Sequence, residues 1–212
     1  MVERDFEFDA ALVHGYWPSQ KGDEGLYEQG ARGAIITRMA AKEFFRGHIG
    51  ILVTTNGPVW GNDYPPVGEL MVNDWVHKYQ IPRERIFAIP QAIPTTDEVA
   101  LFLEAAKRQR WKNLLDIAFD RHHWTIPHFY PKQFNVRYKN VEQMTREIGD
   151  IEERRLVERM RNSRYEYAFM AYQLAQKLLL ELGLGEFLRR QAVNMRRKKG
   201  PGFPIRIDKF DL

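Results

Sequence analysis

Short apolar runs alternate along this chain with longer stretches of helical periodicity, and this alternation constrains the fold more than any other feature. The apolar runs cover residues 8–15, 49–55 and 113–119, with shorter ones within 81–90 and 134–140. Runs bounded by Gly, Asn or Pro are typical of strands buried on both faces. Strands joined by helices of a dozen residues form right-handed crossovers. The sequence therefore predicts an α/β, Rossmann-like three-layer fold with a mainly parallel sheet of about five strands.

The stretches between the predicted strands carry the apolar spacing of helices. The first predicted helix covers residues 26–47, after a polar loop, and its candidate core positions are Leu26, Ile35, Met39 and Phe45. Further helices are predicted over residues 67–79 and 95–110, the first of them with Pro66 at a position where a helix can begin.

Beyond residue 140 the pattern changes to almost continuous helical spacing. We expect an α/β domain over residues 1–140, a helical extension over 141–198 that packs on it or on a second subunit, and an extended tail over 199–212. One helix of such length is unusual in a compact domain. The capping-box pattern that starts at Ser163 predicts a new helix there, and the glycines at 183 and 185 are expected to end it.

Composition excludes several classes of function. The chain contains no cysteine, which rules out disulfides, thiolate metal sites and a cysteine nucleophile. It has no stretch that reads as a signal peptide or a membrane span, so a cytoplasmic location is expected. The net charge is +4, and the basic run 189–200 is interpreted as a solvated helix end, with contact to nucleic acid or an anionic surface as the alternative.

The predicted strand ends indicate where a ligand would bind. In an open parallel sheet the ligand crevice lies outside the carboxyl ends of the strands. Here those ends fall at residues 14–15, 54–57, 89–96 and 119–123, and all four carry polar side chains or glycines. A small-molecule site at this edge of the sheet is the main functional prediction from the residues alone.

The stretch FDRHHWTIPHFY, residues 119–130, contains His122, His123 and His128. Their spacing does not match the i, i+4 pattern of metal ligands on a helix, so no metal is expected from this stretch alone. A metal held jointly by His14, His122 and Asp120 stays an alternative, since ligands can come from distant positions. General acid–base work by His122 is chemically more plausible, and a satisfied polar residue in a loop is the structural alternative. The second half of the stretch is expected to pack beneath the first.

The order of these landmarks resembles the YdcF/SanA/ElyC-like family, known as domain of unknown function 218, over residues 8–138. Arg38 lies in a segment similar to the family's "RxxxA" helix, and residues 54–57 are similar to its "SGG" turn. The "TxExA" core is matched by Thr96, Glu98 and Ala100, Glu69 matches an acidic residue that opens a helix, and His122 matches the motif histidine. The sequence departs from the family pattern at Thr55, Thr95 and Thr125.

The resemblance implies a polar pocket at the strand ends, and S-adenosylmethionine is a candidate ligand because some members are reported to bind it. Other members are linked to maintenance of the cell envelope, and no settled reaction comes with the family. We expect His122, Glu98 and Asp120 to be catalytic. The expected ligand-binding residues are His14, Gly15, Arg38, Thr54, Asn56, Gly57, Glu69, Thr96, Arg121 and His123.

Two functions follow as hypotheses. The first is an enzyme or binding domain for a nucleotide-like or phosphate-bearing small molecule. The second is a non-catalytic scaffold that assembles through the C-terminal helices, with Tyr167, Phe169, Met170, Leu174 and Leu178 as candidate contacts. Thr95 and Glu98 also fit a helix capping box, which is the structural alternative to their role in a pocket.

Overall fold

A five-stranded parallel sheet forms the centre of the computed structural model, which describes residues 6–16, 18–21, 26–57, 64–90 and 95–199. The strands of this sheet are β1 (Phe8–Val13), β4 (Ile49–Asn56), β5 (Ile86–Pro90), β6 (Leu114–Ala118) and β7 (Val136–Asn140). Their spatial order is β5-β4-β1-β6-β7, and every neighbouring pair is parallel. The predicted fold class is confirmed, and all five predicted strands lie in this sheet.

The described residues form seven α-helices. They are α1 (Ala31–Phe45), α2 (Val67–Asn73), α3 (Thr95–Gln109), α4 (Val141–Ile148), α5 (Ile151–Arg161), α6 (Arg164–Glu181) and α7 (Gly185–Lys199). The end of α2 continues as a π-helical turn over Asp74–Lys78. Helices α1, α2, α4 and α5 contribute to the core on one face of the sheet, and α3 covers the other, which gives the three layers.

The start of the first predicted helix is wrong. Leu26–Gln29 forms strand β3, which pairs antiparallel with β2 (Pro18–Lys21) in a small second sheet, and α1 begins only at Ala31. Gln29 explains why this segment is held away from the helix. Its side chain donates to Asp74 Oδ2 over 2.8 Å and accepts from the Thr37 hydroxyl over 2.7 Å. Phe45, a predicted core position, is exposed at the end of α1.

The predicted helical extension consists of separate helices with capped ends. Ser163 accepts a hydrogen bond from the Glu166 amide at the start of α6, as the sequence pattern predicts. Gly183 follows α6 with φ at +77°, a conformation that glycine adopts without strain. Helices α4 and α5 pack onto α1, where Lys42 Nζ lies 2.6 Å from the buried Glu153 carboxylate. Helix α7 includes Lys199, the first residue of the predicted tail 199–212, and the rest of that tail lies outside the described residues.

The direction of strand addition reverses between β1 and β6. Strands β4 and β5 are added on one side of β1, whereas β6 and β7 are added on the other. Such a reversal opens a crevice at the carboxyl ends of the two central strands. His14 directly follows β1 at this point, and the histidine stretch follows β6.

Candidate functional site

Strand alternation directs three polar side chains to the same face of the sheet. Leu12 of β1 and Val53 of β4 belong to the core beneath α3. Because side chains two residues apart share a face, His14 and Thr55 follow them on that face at the carboxyl end. Asp116 of β6 shares this face too, since its hydrogen bonds reach His14. The group therefore lies where the sheet, α3 and the crevice meet.

His14 lies between two carboxylates and is itself buried. Its Nε2 is 2.9 Å from Asp116 Oδ2, and its Nδ1 is 2.9 Å from Glu98 Oε2. A carboxylate only accepts hydrogen bonds, so both ring nitrogens donate and the ring is an imidazolium. Burial alone would lower the pKa of His14, but the charge of Asp116 and the hydrogen bonds to both carboxylates raise it to about 10.

Asp116 is the centre of this network. Besides His14, its carboxylate accepts the Tyr130 hydroxyl over 2.7 Å and His123 Nε2 over 3.1 Å. Burial alone would raise the pKa of Asp116, but the charge of His14 and the hydrogen bonds from His123 and His14 hold it well below its usual range. The side chain is completely buried, and its charge is held inside the protein by hydrogen bonds from three partners, His14, Tyr130 and His123.

Glu98 joins the start of α3 to β4. Its Oε1 accepts the Thr55 hydroxyl over 2.5 Å while Oε2 is bonded to His14. The carboxylate is therefore used across the interior rather than in the capping box that the sequence offered as an alternative. Thr95, the expected cap, is the first residue of α3, and its hydroxyl lies 3.4 Å from His122 Nε2.

His122 lies beside this network in a half-buried position. Its ring centroid is 5.2 Å from that of His14, and its Nδ1 is 3.2 Å from the Tyr16 hydroxyl. The Tyr16 oxygen accepts the Phe119 amide over 3.1 Å, which leaves the phenolic proton for His122 Nδ1. Burial raises the pKa of Tyr16 far above its usual value, so the phenol stays protonated. This arrangement places the proton of a neutral His122 on Nε2, towards the start of α3.

The neighbours of His122 in the chain have separate partners. Arg121 Nε lies 3.3 Å from Glu166 Oε1 of α6, and its guanidinium also donates to the Glu166 carbonyl oxygen over 2.6 Å. Asp120, predicted to be catalytic, is exposed, and Asn140 Nδ2 lies 3.4 Å from its Oδ1. Its amide donates to the buried Glu142 carboxylate over 3.0 Å. The structure thus brings His14, Glu98, His122 and His123 together but turns Asp120 outward.

Several expected ligand-binding residues lie away from this group. Thr54 is buried on the opposite face of β4, where its hydroxyl lies 3.3 Å from Met71 Sδ. Arg38, in the middle of α1, donates to Tyr79 and Glu153, and Glu69 is exposed in the first turn of α2. A ligand-binding role for these three residues stays a prediction.

The remaining predicted residues lie at the strand ends. Gly15 packs closely on α2, since a Cβ there would come within 3.0 Å of Val67 Cγ1. The Asn56 side-chain oxygen is buried without a hydrogen-bond partner in the described part of the chain, and the adjacent Gly57 is buried. Thr96 is half-buried in the first turn of α3.

Four residues of the network are not among the site residues predicted from the sequence: Tyr16, Thr55, Asp116 and Tyr130. Asp116 carries the clearest signal, because it is a single acidic residue inside the apolar run 113–119. A charged side chain at a position buried on both faces needs a partner, and this is a pointer to a polar site. Tyr130 belongs to the segment expected to pack beneath the histidines, and it does so through a hydrogen bond to Asp116.

No metal site emerges among the described residues, where no three His, Asp or Glu side chains are arranged to hold an ion. The alternative metal-ligand set of His14, His122 and Asp120 does not converge on one point. Both nitrogens of His14 face carboxylates, and Asp120 contacts Asn140. Of the helices the structure describes, none is both long and apolar enough to cross a membrane.

Comparison with known proteins gives no match: no family model, curated protein or solved structure is significantly similar to the chain. The resemblance to the YdcF/SanA/ElyC-like family therefore stays a prediction.

Proposed function

We propose that the chain is an enzyme that acts on a nucleotide-like or phosphate-bearing small molecule at the carboxyl ends of β1 and β6. His122 is its central residue. The observation that carries the proposal is the position of the His122 ring, whose Nε2 lies 3.4 Å from the Thr95 hydroxyl at the start of α3 and whose centroid lies 5.2 Å from that of the buried His14. Ionisable groups with strongly shifted pKa values in a crevice are typical of functional sites.

The start of α3 supports an anionic ligand. This helix has 15 residues, and the amide groups and dipole at the start of a helix attract phosphate groups. The buried network does not add positive charge, since one imidazolium faces two carboxylates. Attraction for an anion therefore comes from the helix start and from the Nε2 proton of His122, both of which lie at the crevice.

The chemical role supported for His122 is that of a hydrogen-bond donor. Its Nε2–H would stabilise negative charge that develops on a ligand oxygen, as donors fixed in advance of the reaction do. Tyr16 holds the opposite nitrogen and so keeps the donating tautomer in place. His14, Glu98 and Asp116 form the rigid base against which the His122 ring is held. S-adenosylmethionine, suggested by the family resemblance, is one nucleotide-like ligand to be tested.

Thermal-shift measurements against inorganic phosphate, nucleotides, sugar phosphates and S-adenosylmethionine would test this proposal. We expect at least one ligand to stabilise the wild type, and the stabilisation to be lost in His122→Ala. His128→Ala is the matched control, because His128 belongs to the same stretch but is exposed. The proposal is wrong if no ligand stabilises the wild type, or if His122→Ala responds as the control does.

A conservative variant separates hydrogen bonding from proton transfer. The side-chain amide of His122→Gln can donate from about the position of Nε2 but cannot carry a proton between groups. If His122 acts as a donor, His122→Gln keeps part of the ligand stabilisation that His122→Ala loses. Equal loss in both variants would contradict the donor role.

We also propose that the chain self-associates through α6, and a separate observation supports this. Tyr167, Leu174 and Leu178 are 57%, 45% and 60% exposed, and steps of seven and four residues along the helix place them in an uncharged stripe on one face. Apolar stripes of this spacing pack against a second helix, and two copies of one stripe suit a symmetric dimer. Independently of the dimer, we propose a cytoplasmic location, as expected from the sequence.

Sedimentation velocity would test the dimer. Leu174→Lys combined with Leu178→Lys should shift the wild-type dimer to a monomer. Glu158→Lys, at an exposed position of α5, is the control for added positive charge and should stay dimeric. A wild type that sediments as a monomer throughout the micromolar range would exclude this role.

A further inference from the structure

Helix α6 buries polar side chains and exposes apolar ones. Its inward face carries Glu166, Gln173 and Gln176, which are 1%, 3% and 6% exposed. Tyr167, Leu174 and Leu178, described above, lie on the opposite face and are exposed. A helix that only covered the core would place its apolar side inward. The buried polar side therefore has a task that apolar packing does not explain.

The inward side chains of α6 hold both ends of the turn that contains His122. On the amino side, Arg121 is bonded to the carboxylate and the carbonyl oxygen of Glu166. On the carboxyl side, the Thr125 hydroxyl lies 3.2 Å from Gln173 Oε1 and 3.2 Å from the His122 carbonyl oxygen. The two contacts enclose the 3-10 turn His122–Trp124.

Glu166 is in turn anchored to the sheet side of the molecule. Its carboxylate forms an ion pair with the buried Arg32, which lies at the start of α1. The Arg32 guanidinium stacks 4.7 Å from the centroid of the Phe119 ring, and Phe119 is the residue whose amide bonds Tyr16. The Glu166 contacts thus connect α6 to the same backbone segment that sets the orientation of His122.

We propose that Glu166 and Gln173 are positioning residues that hold the His122 turn, so that α6 is part of the candidate site. The inference rests on the proposed function for its chemical consequence but not for its structural test. Polar contacts fix direction, because a hydrogen bond requires alignment, whereas apolar packing tolerates rotation and sliding. Two directional contacts on either side of a short turn leave the His122 ring one orientation towards Tyr16 and Thr95.

Gln173→Met tests the proposal, because methionine keeps the length of the side chain and removes its polar group. The matched control is Gln176→Met. Gln176 lies on the same buried face, but its side chain donates to Tyr172 over 2.9 Å within the helix. The readout is the nitrogen and proton NMR signals of the His122 ring, which report tautomer and hydrogen bonding without any ligand.

We expect a single Nε2–H tautomer in the wild type and in Gln176→Met, and shifted signals with a second tautomer in Gln173→Met. Misplacement of a reacting group by an ångström can reduce function by about a hundredfold, so the affinity for any ligand found should fall at least about tenfold. A role of Gln173 in packing alone predicts that both methionine variants give wild-type His122 signals, and that result would overturn the proposal.

A second variant approaches the contact from the turn. Thr125→Val removes the hydroxyl and keeps the shape of the side chain, so it should change the His122 signals as Gln173→Met does. Unchanged signals in a folded Thr125→Val would overturn the proposal even if Gln173→Met fails to fold. If no ligand is found at all, the proposed function fails, while the ring signals still decide whether α6 positions His122.

Discussion

The His14 imidazole and the Asp116 carboxylate share a hydrogen bond of 2.9 Å although the two residues are 102 positions apart, and both side chains are buried. Residues from the end of β1 and from the middle of β6 meet only because these strands are neighbours in the sheet. An ion pair of this kind gives little net stability compared with an apolar pair, but the loss of one partner leaves an unpaired buried charge.

Asp116→Asn should therefore destabilise the protein strongly. The variant keeps the size of the side chain but leaves the His14 imidazolium with one carboxylate, and a loss of about 3–5 kcal/mol in the free energy of unfolding is expected. Urea denaturation measures it. The control is Asp97→Asn, which removes an exposed pair with Arg190 at 3.1 Å and should cost about 0–1 kcal/mol. Equal losses in the two variants would contradict a charged network.

The raised pKa of His14 predicts a specific dependence of stability on pH. The pKa rises from its ordinary 6.5 to about 10 on folding, so the folded state binds the proton more tightly than the unfolded state. The stabilisation is complete below about pH 6.5 and is lost as the pH rises towards 10. Unfolding between pH 6.5 and 10 should release a proton from this site, and the free energy of unfolding should fall over that window.

Comparison with His14→Gln isolates this contribution from other titrating groups. The wild type should lose stability between pH 7 and 10 more steeply than His14→Gln, by on the order of a few kcal/mol across the window. Denaturation curves at several pH values give both slopes. In the wild type, NMR should also show protons on both ring nitrogens of His14 at pH 8. Parallel slopes, or a neutral His14 ring at that pH, would contradict the assignment.

Tyr16→Phe tests the control of the His122 tautomer. The change removes the hydroxyl that accepts the Phe119 amide and faces His122 Nδ1. Loss of these bonds, with one buried amide left unsatisfied, should cost about 1–3 kcal/mol in the free energy of unfolding. The His122 ring should then show both neutral tautomers by NMR, where the wild type shows protonation on Nε2. Tyr138→Phe is the control, since the Tyr138 ring packs against the rings of His123 and Tyr130.

The strands could be predicted from the sequence because each is an apolar run with a clear boundary, and the crevice could be placed because parallel strands end at one edge. The hairpin β2–β3 could not, since its segments are short and carry no alternating apolar pattern; it is held by long-range contacts of Gln29. Within the site, the sequence predicts a role for Thr54, whereas Thr55 is the residue whose hydroxyl bonds Glu98. A one-residue difference decides the face of a strand, and only the register given by the structure resolves it.

Asp116 shows a different limit. Its position in a buried strand signals a polar partner, but no local pattern identifies that partner as His14, since the two are brought together by the order of strands. The sequence likewise does not reveal that the buried face of α6 is the polar one. Helical spacing locates the apolar stripe, but the sequence alone does not say which face of a helix points inward. The sequence predicts exposure of this stripe only under the hypothesis of an assembly through the C-terminal helices.

Helix α2 packs against the end of β4 on the face of the sheet opposite the His14 network, and Gly68 lies at this contact. Gly68, in the first turn of α2, lies directly against the carbonyl oxygen of Thr55, and a Cβ at this position would overlap that backbone atom. Neither group can move without shifting the end of β4, where the Thr55 hydroxyl bonds Glu98. Gly68→Ala should therefore destabilise the protein by about 1–3 kcal/mol, as overpacking of a core does.

Gly33→Ala is the matched control for this change. Gly33 is also a buried helical glycine, but the nearest atoms to an added Cβ belong to the Gln29 side chain, with Oε1 at 3.0 Å, and none of them belongs to the backbone. The intrinsic preference of helices for alanine, worth up to about 1 kcal/mol, should offset the small adjustment there. Gly68→Ala should also weaken binding of any ligand found at the strand ends, because the shift reaches Glu98 through Thr55, whereas Gly33→Ala should not. A Gly68→Ala protein with wild-type stability and binding would show that α2 can retreat from β4 without disturbing the network.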